Sequence, residues 1–419
     1  SIIDLTSAGS QPMISNCNNY VLIFNGEIYN HLTLRKLLKD QGHDYPWQGS
    51  SDTETLLACL KLWGMNETLL KITGMFAFAF WDKKRKKLYL ARDRMGEKPL
   101  YYGELDGAFV FGSELKAFHA HPKWKGEVDR DVLAQYIRHG YVHEPNCIYK
   151  NFYKLSPGHF VEIQERKVIK ISEYWSLRKK IPIERKDIPY HEFTEKLENL
   201  ISDSIRERSR ADVPLGAFLS GGIDSSLLVA LMQKNSDENI KTFTIGYEND
   251  SYNEARHAKK VADYLGTEHT DLLINPNDVI SVIPELPKIW DEPFADSSQI
   301  PTLLVSKLAK QRVKVAISGD GGDEIFCGYN RYQIGFNLYK TAQYFPNSLV
   351  TYLAKKLQSS KGGMFEKYIA KLPKKYRFQA INDRLIKLGF VLEHTKDINY
   401  YKPLVSLNHQ PQDIVINSK

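Results

Sequence analysis

The sequence predicts two domains, an α+β sandwich followed by an α/β domain with a doubly wound parallel sheet. Short β-runs joined by polar turns fill residues 1–175, and two helical stretches interrupt them. From about residue 213 apolar strands alternate with helices, which is typical of a parallel sheet covered on both faces. The length of 419 residues also suits two domains better than one.

The first domain is predicted at 1–177. Apolar runs bounded by turn residues predict strands at 1–5, 20–24, 75–81, 87–91, 100–103, 108–112 and 159–163. Helices are predicted at about 31–41 and 52–63, the second because Ser51-Asp52-Thr53-Glu54 is a good N-terminal cap pattern. A charged, proline-containing stretch at 178–190 predicts a linker.

The second domain is predicted at 191–419 and begins with an amphipathic helix at about 191–209. Its strands are predicted at 214–219, 242–246, 270–274 and 313–317, and its helices at 253–265 and 298–311. Beyond about residue 330 the chain is helical and rich in lysine. The seven lysines between 355 and 375 indicate a solvated helix face rather than a nucleic-acid site.

Composition narrows the class of protein. Hydrophobic residues make up 42% and charged residues 26%, as in soluble globular proteins, and the formal charge of +7 is mild for this length. Cys17, Cys59, Cys147 and Cys327 are widely spaced, which fits a reducing cytoplasm. No signal peptide or apolar run of about 18 residues is found. We therefore expect neither a membrane nor a nucleic-acid partner.

The run Leu219-Ser220-Gly221-Gly222-Ile223-Asp224-Ser225-Ser226 lies between a predicted strand and a predicted helix. Its glycines permit a tight turn, and the amides of a helix N-terminus favour phosphate. Asp224 makes sense beside phosphate if Mg²⁺ bridges the two. The run is similar to the pyrophosphate loop of ATP pyrophosphatases, and the alternative is an ordinary strand–turn–helix connection.

A second acidic loop, Ser318-Gly319-Asp320-Gly321-Gly322-Asp323-Glu324, also follows an apolar strand. Ligands of a doubly wound sheet lie beyond the carboxyl ends of its strands, so the two loops are predicted to face one crevice. Asp224 and Asp323 would share one Mg²⁺, with Asp320 near the reacting carboxylate. The alternative is a turn that contains Gly and Asp because turns favour them.

The run Phe24-Asn25-Gly26-Glu27-Ile28-Tyr29-Asn30 has two interpretations. An Asn-Gly pair normally marks a hairpin. The residues from Glu27 to Asn30 indicate the start of a helix instead. The Asn25 amide and the Gly26 N–H would then form an oxyanion hole for cleavage of an amide. Farther along, Glu292 is predicted in a turn before a helix rather than in the crevice.

Five motifs occur in a specific order. They are Asn25-Gly26-Glu27-Ile28-Tyr29-Asn30, Ser51-Asp52-Thr53-Glu54, Arg92-Asp93-Arg94-Met95-Gly96-Glu97-Lys98-Pro99-Leu100-Tyr101 and the loops 220–226 and 318–324. With them the chain resembles glutamine-hydrolysing asparagine synthetase over nearly its whole length. The resemblance implies an N-terminal-nucleophile glutaminase sandwich followed by an ATP pyrophosphatase-type synthetase domain.

The resemblance also implies site residues. Asn25 and Gly26 would be the oxyanion donors, and Gly26, Glu27 and Asp52 would hold glutamine. The residues implied at the adenine and ribose of ATP are Phe218, Leu219 and Ile245. The residues implied at its pyrophosphate are Ser220, Gly221, Gly222, Asp224, Ser225 and Ser226, and Ser318 and Gly319 would also contact the nucleotide. Asp320 stands where the family keeps an acidic residue important for forming the acyl-adenylate.

The chain departs from the family pattern at both ends. The family's nucleophile is a cysteine at the mature N-terminus, and none of the four cysteines here can fill that role. An upstream arginine and a later lysine that faces the phosphates are also unmatched. We therefore expect the sequence to be truncated at both ends, unable as written to hydrolyse glutamine and doubtful as a synthetase.

The predicted function of the intact enzyme is synthesis of asparagine from aspartate, ATP and glutamine-derived ammonia, through a β-aspartyl-AMP intermediate. The implied cofactors are ATP and Mg²⁺, and a homodimer is possible. One alternative is an amidotransferase of the same build that acts on another carboxylate, such as a uronic acid of a polysaccharide. The others are a tRNA-modifying ATP pyrophosphatase and a non-catalytic binding remnant.

Overall fold

The computed structural model describes residues 3–182, 187–247, 254–359, 381–396 and 398–418. The chain forms two compact units, one of residues 1–129 and 143–319 and the other of residues 130–142 and 320–419. Part of the predicted linker (183–186), the first residue of the predicted helix 253–265, and five of the seven lysines between 355 and 375 lie outside the described residues.

Antiparallel strands build the first part of the larger unit. They are β1 (Met13–Ile14), β2 (Tyr20–Ile28), β3 (Gly74–Asp82), β4 (Lys87–Arg92), β5 (Tyr101–Leu105), β6 (Ala108–Gly112), β7 (Phe152–Lys154), β8 (His159–Gln164) and β9 (Lys167–Glu173). One sheet has the order β1-β2-β3-β4-β8-β9, and a second has the order β6-β5-β7. Buried side chains of β3, β4 and β8 pack against β5, so the two sheets form a sandwich.

Helices cover the other face of the larger sheet. The helices of the first part of the chain are α1 (His31–Asp40), α2 (Asp52–Lys71), α3 (Lys116–His119) and α4 (Arg130–His139), the last of which belongs to the second unit. Leu34 and Leu38 of α1 and the first turns of α2 pack on Leu22, Phe76 and neighbouring side chains of β2 and β3. Because β3 is central and covered on both faces, its apolar run is continuous rather than alternating.

A four-stranded parallel sheet follows in the same unit. Its strands are β10 (Leu215–Phe218), β11 (Lys241–Tyr247), β12 (Glu268–Ile274) and β13 (Val315–Ile317), in the order β12-β11-β10-β13. The helices are α5 (Tyr190–Arg208), α6 (Ile223–Lys234), α7 (Ala255–Leu265), α8 (Pro276–Val282), α9 (Leu286–Ile289) and α10 (Gln299–Lys310). Separate apolar cores lie under α5–α7 and under α10, so helices cover both faces of the sheet. The predicted fold class is confirmed.

The second unit is helical where it is described. Besides α4 it contains α11 (Gly322–Phe326), α12 (Asn330–Gln343), α13 (Asn347–Gln358), α14 (Ile381–Glu393) and α15 (Tyr401–Val405). The N–H of Leu407 donates to the carbonyl of Arg138 at 2.6 Å, which ties α4 to the C-terminal segment. Within the described residues, no helix combines the length and the apolar character needed to cross a membrane.

Two local predictions were wrong or incomplete. Residues 3–5 form no strand, because Asp4 has a φ of +56° and its carboxylate accepts the N–H groups of Thr6 and Ser50 at 3.0 and 2.8 Å. The predicted helix 52–63 continues to Lys71 across a kink at Gly64, where φ is +76°. Strands β1, β7 and β9 and helix α4 were not predicted.

Candidate functional site

Three consecutive residues of β2, namely Asn25, Gly26 and Glu27, line a cavity of about 350 Å³, here called the Asn25 cavity. This volume lies within the range of small-molecule sites. The cavity is lined by Ile3, Gly9, Gln11, Phe24, Asn25, Gly26, Glu27, Asp52 and Thr53. The structure therefore brings the four residues predicted to bind glutamine to one cavity, while their role there stays a prediction.

The Asn25-Gly26 pair is neither a hairpin turn nor followed directly by a helix. Strand β2 continues to Ile28, with Gly26 opposite Phe76 of β3, and α1 begins at His31. A side chain at Gly26 would overlap the backbone oxygen of Met75 and lie 2.7 Å from the Phe76 Cα. The helix predicted at about 31–41 is present, but Glu27 and Ile28 belong to the strand and not to a helix start, because pairing with β3 overrides the local pattern.

Two buried carboxylates, Glu27 and Asp52, face this cavity at 2% and 5% exposure. Asp52 accepts the N–H of Ile28 at 2.9 Å. Burial, and then the Asp52 charge, raise the pKa of Glu27 to about 7, while Lys98 and Arg208 oppose that shift. The Oε1 atom of Glu27 is buried and accepts no hydrogen bond from the described residues. A cationic group bound here would neutralise the negative charge of these two carboxylates.

The turn that carries Asp52 is held by Arg35 of α1. The Arg35 guanidinium donates to the carbonyls of Gly49 and Ser51, both at 2.8 Å, and to the Thr55 hydroxyl at 2.7 Å. It also stacks on Trp47 at 4.0 Å. A guanidinium with this many partners fixes the turn rigidly. No sequence signal singled out Arg35, because its partners are 14 to 20 residues away.

The helix cap at this turn forms only in part as predicted. The Ser51 hydroxyl accepts the N–H of Thr53 at 3.1 Å. The Glu54 carboxylate instead accepts the N–H groups of Gln48 and Gly49, at 2.9 and 3.0 Å. Glu54 thus fixes the backbone that precedes α2 and does not complete a capping box.

The motif from Arg92 to Tyr101 is a scaffold around two buried charges. Asp93 is fully buried and accepts four backbone N–H groups, those of Phe76, Met95, Glu97 and Lys98, at 2.9 to 3.1 Å. Arg92 donates to the Glu144 carboxylate at 2.7 Å and to three backbone carbonyls. The motif therefore folds the loop and leaves Lys98 near Glu27.

The predicted nucleotide loop lies between β10 and α6. Gly221 has a φ of +80°, and a Cβ there would lie 2.6 Å from the Ala258 nitrogen, so only glycine fits. The Ser225 hydroxyl bonds to the Ser220 hydroxyl at 2.9 Å and accepts the Ser220 N–H at 3.2 Å. The loop itself is exposed at Ser220 and Gly222, which leaves its amides accessible.

The start of the second predicted loop lies beside the first. Strand β13 pairs with β10, with Ile317 opposite Ala217. A Cβ on Gly319 would lie 3.1 Å from the Ser225 nitrogen and 3.2 Å from the Asp224 Cβ. Ser318 and Gly319 therefore lie at the same sheet edge as the 220–226 loop, at the carboxyl ends of the strands.

The metal assignment stays a prediction, because Asp320 and Asp323 belong to the second unit. The described residues contain no group of three or more His, Cys, Asp or Glu side chains arranged to hold a metal ion. Mg²⁺ characteristically takes one or two carboxylates and fills its other positions with water and substrate phosphates. Asp224, in the first turn of α6, fits that role.

The three residues predicted for adenine and ribose differ in position. Leu219 is 1% exposed and packs in the core beneath α6, and its contact with a nucleotide stays a prediction. Its N–H donates to the Phe243 carbonyl at 2.9 Å. Phe218 and Ile245 are partly buried, Phe218 against the α10 core and Ile245 against α8. Their contact with a nucleotide stays a prediction.

The Asp291-Glu292 turn contacts the first part of the chain. Glu292 accepts the Ile148 N–H at 2.8 Å, lies 3.3 Å from the Tyr101 hydroxyl and pairs with Lys154 at 2.6 Å. Sequence reasoning predicted the turn but missed these partners, because they lie more than 130 residues away along the chain.

None of the four cysteines is among the residues that line the Asn25 cavity. Burial raises the pKa of Cys59 and of Cys147 to about 12, so both thiols stay protonated. Cys17 is exposed, and a hydrogen bond with Ser15 lowers its pKa to about 7.

Comparison with known families agrees with this arrangement. A glutamine amidotransferase domain matches residues 1–175, and an asparagine synthase domain matches residues 196–409. The chain is thus built of two parts, a glutamine amidotransferase domain followed by an asparagine synthase domain. The chain belongs to the asparagine synthase family.

Three relatives illustrate the likeness. Asparagine synthetase (glutamine-hydrolyzing) 1 of Bacillus subtilis is 38% identical over 333 residues, which is 80% of this chain and 51% of that protein. A putative asparagine synthetase of Methanocaldococcus jannaschii is 35% identical over 80% of this chain and 67% of that protein. A putative asparagine synthetase of Mycobacterium bovis is 36% identical over 79% and 51%. The chain thus spans about half the length of two of them.

Proposed function

We propose that the protein is a glutamine-dependent amidotransferase that makes asparagine from aspartate with consumption of ATP. The observation that carries this proposal is the presence of two chemically different sites in one chain. The Asn25 cavity presents an amide and two carboxylates, and the β10–α6 loop presents a serine- and glycine-rich helix N-terminus. The family membership supports the same assignment.

In the Asn25 cavity, glutamine would bind with its α-ammonium at Glu27 and Asp52. The ammonium would keep both carboxylates ionised, and would therefore lower the pKa of Glu27 from about 7. The Asn25 amide and the Gly26 N–H would donate to the oxyanion that forms when the side-chain amide is attacked. Release of ammonia would leave glutamate.

At the β10–α6 loop, ATP would bind through its phosphates. Ser220, Gly221, Gly222, Ser225 and Ser226 would hold the β- and γ-phosphates at the helix N-terminus. Asp224 would hold Mg²⁺, which when bound neutralises charge on the departing pyrophosphate.

The synthetic step couples the two sites. A side-chain carboxylate oxygen of aspartate attacks the α-phosphorus of ATP, and pyrophosphate leaves with the electrons of the broken P–O bond. The free carboxylate would thereby be converted to β-aspartyl-AMP. Ammonia attacks its carbonyl carbon, AMP leaves, and loss of a proton gives asparagine. A homodimer and a cytoplasmic location belong to the same proposal.

The test is a product assay with aspartate, MgATP and ammonium chloride, so that glutamine hydrolysis is not required. We expect asparagine, AMP and pyrophosphate in equal amounts. The matched variant Asp224→Ala should lose ATP–pyrophosphate exchange and asparagine formation together. Absence of asparagine from the complete wild-type protein would exclude aspartate as the acceptor. Unchanged exchange in Asp224→Ala would remove Asp224 from the metal site.

A further inference from the structure

Asp291 contacts a turn next to the Asn25 cavity. Its Oδ2 atom accepts the N–H of Leu115 at 2.8 Å, and its Oδ1 atom lies 3.4 Å from the Lys116 ammonium. The Asp291 side chain is 10% exposed. A hydrogen bond from an amide to a buried carboxylate is stronger than one between neutral groups. Asp291 therefore fixes the backbone of this turn, although it lies 176 residues away along the chain.

The same turn reaches Asn25 through Ser113. The Asn25 Nδ2 atom donates to the Ser113 hydroxyl oxygen at 3.0 Å. A side-chain amide has two N–H groups. The bond to Ser113 uses one of them and fixes the amide plane, which leaves the second for an acceptor in the cavity. Only Glu114 separates Ser113 from Leu115, so a shift of one moves the other.

We propose that Asp291 is a positioning residue for the Asn25 amide. Its carboxylate, from the synthase part of the chain, holds the 113–116 turn, and the turn orients an oxyanion donor in the glutaminase part. This inference rests on the proposed glutaminase function. Preorganised donors determine the rate of the chemical step far more than they determine substrate affinity. Asp291 thus affects amide hydrolysis without touching glutamine.

The kinetic test measures glutamate release from glutamine by the complete natural protein. We expect Asp291→Ala to lower kcat about tenfold, less than the loss of a whole oxyanion donor, with KM within about threefold of wild type. Asp291→Asn keeps an oxygen for the Leu115 N–H and should retain most of the rate. The control Glu285→Gln removes a carboxylate whose ion pair with Lys307 is half exposed, and it should leave kcat unchanged.

A double-mutant cycle separates positioning from general loosening. Ser113→Ala breaks the bond to Asn25 and should lower kcat as Asp291→Ala does. The double variant should be no slower than either single variant, because both act through one chain of contacts. Independent, multiplying losses would overturn the proposal, as would an unchanged kcat in Asp291→Ala.

Hydrogen exchange tests the contact itself without any activity. In Asp291→Ala, the amide hydrogens of residues 113–118 should exchange at least about tenfold faster than in wild type, while those of β3 should not change. Unchanged exchange in this turn would overturn the proposal. If exchange rises but the wild-type protein releases no glutamate, the proposed glutaminase function fails while the positioning contact stands.

Discussion

Glu27 has a carboxylate oxygen that is buried without a hydrogen-bond partner among the described residues, and this predicts a pH effect on stability. Its folded pKa of about 7 lies above the ordinary glutamate value of 4.5. A raised carboxylate pKa means that the folded state holds the proton more tightly. The resulting stability is fully present below pH 4.5 and is lost as the pH rises to about 7.

We therefore expect the melting temperature of Glu27→Gln, relative to wild type, to rise as the pH increases from 4.5 to 7. The amide stays neutral and does not incur the cost of ionisation in the cavity. Melting curves at intervals of about half a pH unit test this, with the exposed Glu67→Gln as control. Parallel profiles for wild type and Glu27→Gln would contradict the prediction.

Gly26 illustrates a residue required by close approach of two strands. Gly26→Ala would force its Cβ into the Met75 oxygen and the Phe76 Cα, and we expect a loss of stability of about 3 kcal/mol or more. Gly42→Ala is the control, because Gly42 also has a positive φ, of +83°, but a Cβ added there would meet no neighbouring atom within 4 Å. Urea unfolding measures both variants. Equal losses would show that backbone conformation, and not the strand contact, requires glycine.

Sequence singled out most readily the residues that belong to a short motif. Asn25, Gly26, Glu27 and Asp52 were predicted together and line one cavity. Gln11 and Arg35 were missed, because each acts through backbone groups brought close only by folding. Gln11, for example, accepts the Phe24 N–H at 2.6 Å across 13 residues.

At the scale of elements, the β10–α6 loop depends on one hydroxyl. The Ser225 hydroxyl bonds to both the backbone N–H and the hydroxyl of Ser220 and lies 3.3 Å from the Gly222 carbonyl oxygen. We expect Ser225→Ala to weaken ATP binding about tenfold, because loss of these bonds loosens the loop by about 1–2 kcal/mol. Isothermal titration calorimetry with MgATP measures the change.

Ser236→Ala is the matched control for the loop, because Ser236 lies just beyond the other end of α6 and its hydroxyl bonds only to Glu238 among the described residues. Its affinity for ATP should equal that of wild type. If Ser225→Ala bound ATP as tightly as wild type, the Ser225 hydroxyl would have no role in nucleotide binding.

Long periodic elements were predictable, and short or locally ambiguous ones were not. The predicted helix at 191–209 is observed as Tyr190–Arg208, because its amphipathic pattern extends over about five turns. Strand β7 has only three residues, too few for any period to be recognised. The continuation of β2 through Ile28 was missed because its pairing with β3 is a long-range interaction.

At the scale of the whole molecule, the change of pattern near residue 213 was enough to predict the order of the two fold classes. The contacts between the amidotransferase part and the synthase part could not be predicted from it. Arg208 of α5 pairs with Glu97 at 3.0 Å and lies over the Tyr29 ring at 4.8 Å. Asp212 accepts the N–H of Asp4 at 3.0 Å. Such pairs have no local periodicity, so a single sequence does not reveal them.

Glu292 and Lys154 form the most buried of the described ion pairs that join the two parts, with side chains 9% and 12% exposed and 2.6 Å apart. Glu292→Gln would keep the contacts to Ile148 and Tyr101 but deprive the Lys154 ammonium of this carboxylate. Removing one member of a buried pair typically costs about 3 kcal/mol. We therefore expect the urea midpoint of the main transition to fall by about 1 M.

The control for this prediction is an exposed ion pair in the same part of the chain. Glu285 and Lys307 are both 47% exposed, and Glu285→Gln should shift the midpoint by at most a few tenths of a molar, because exposed pairs contribute about 0–1 kcal/mol. Replacing Lys154 by Met in the Glu292→Gln background should recover part of the loss, since both charges of this pair are then removed. Equal shifts for the two glutamine variants would mean that the pair does not couple the two parts during unfolding.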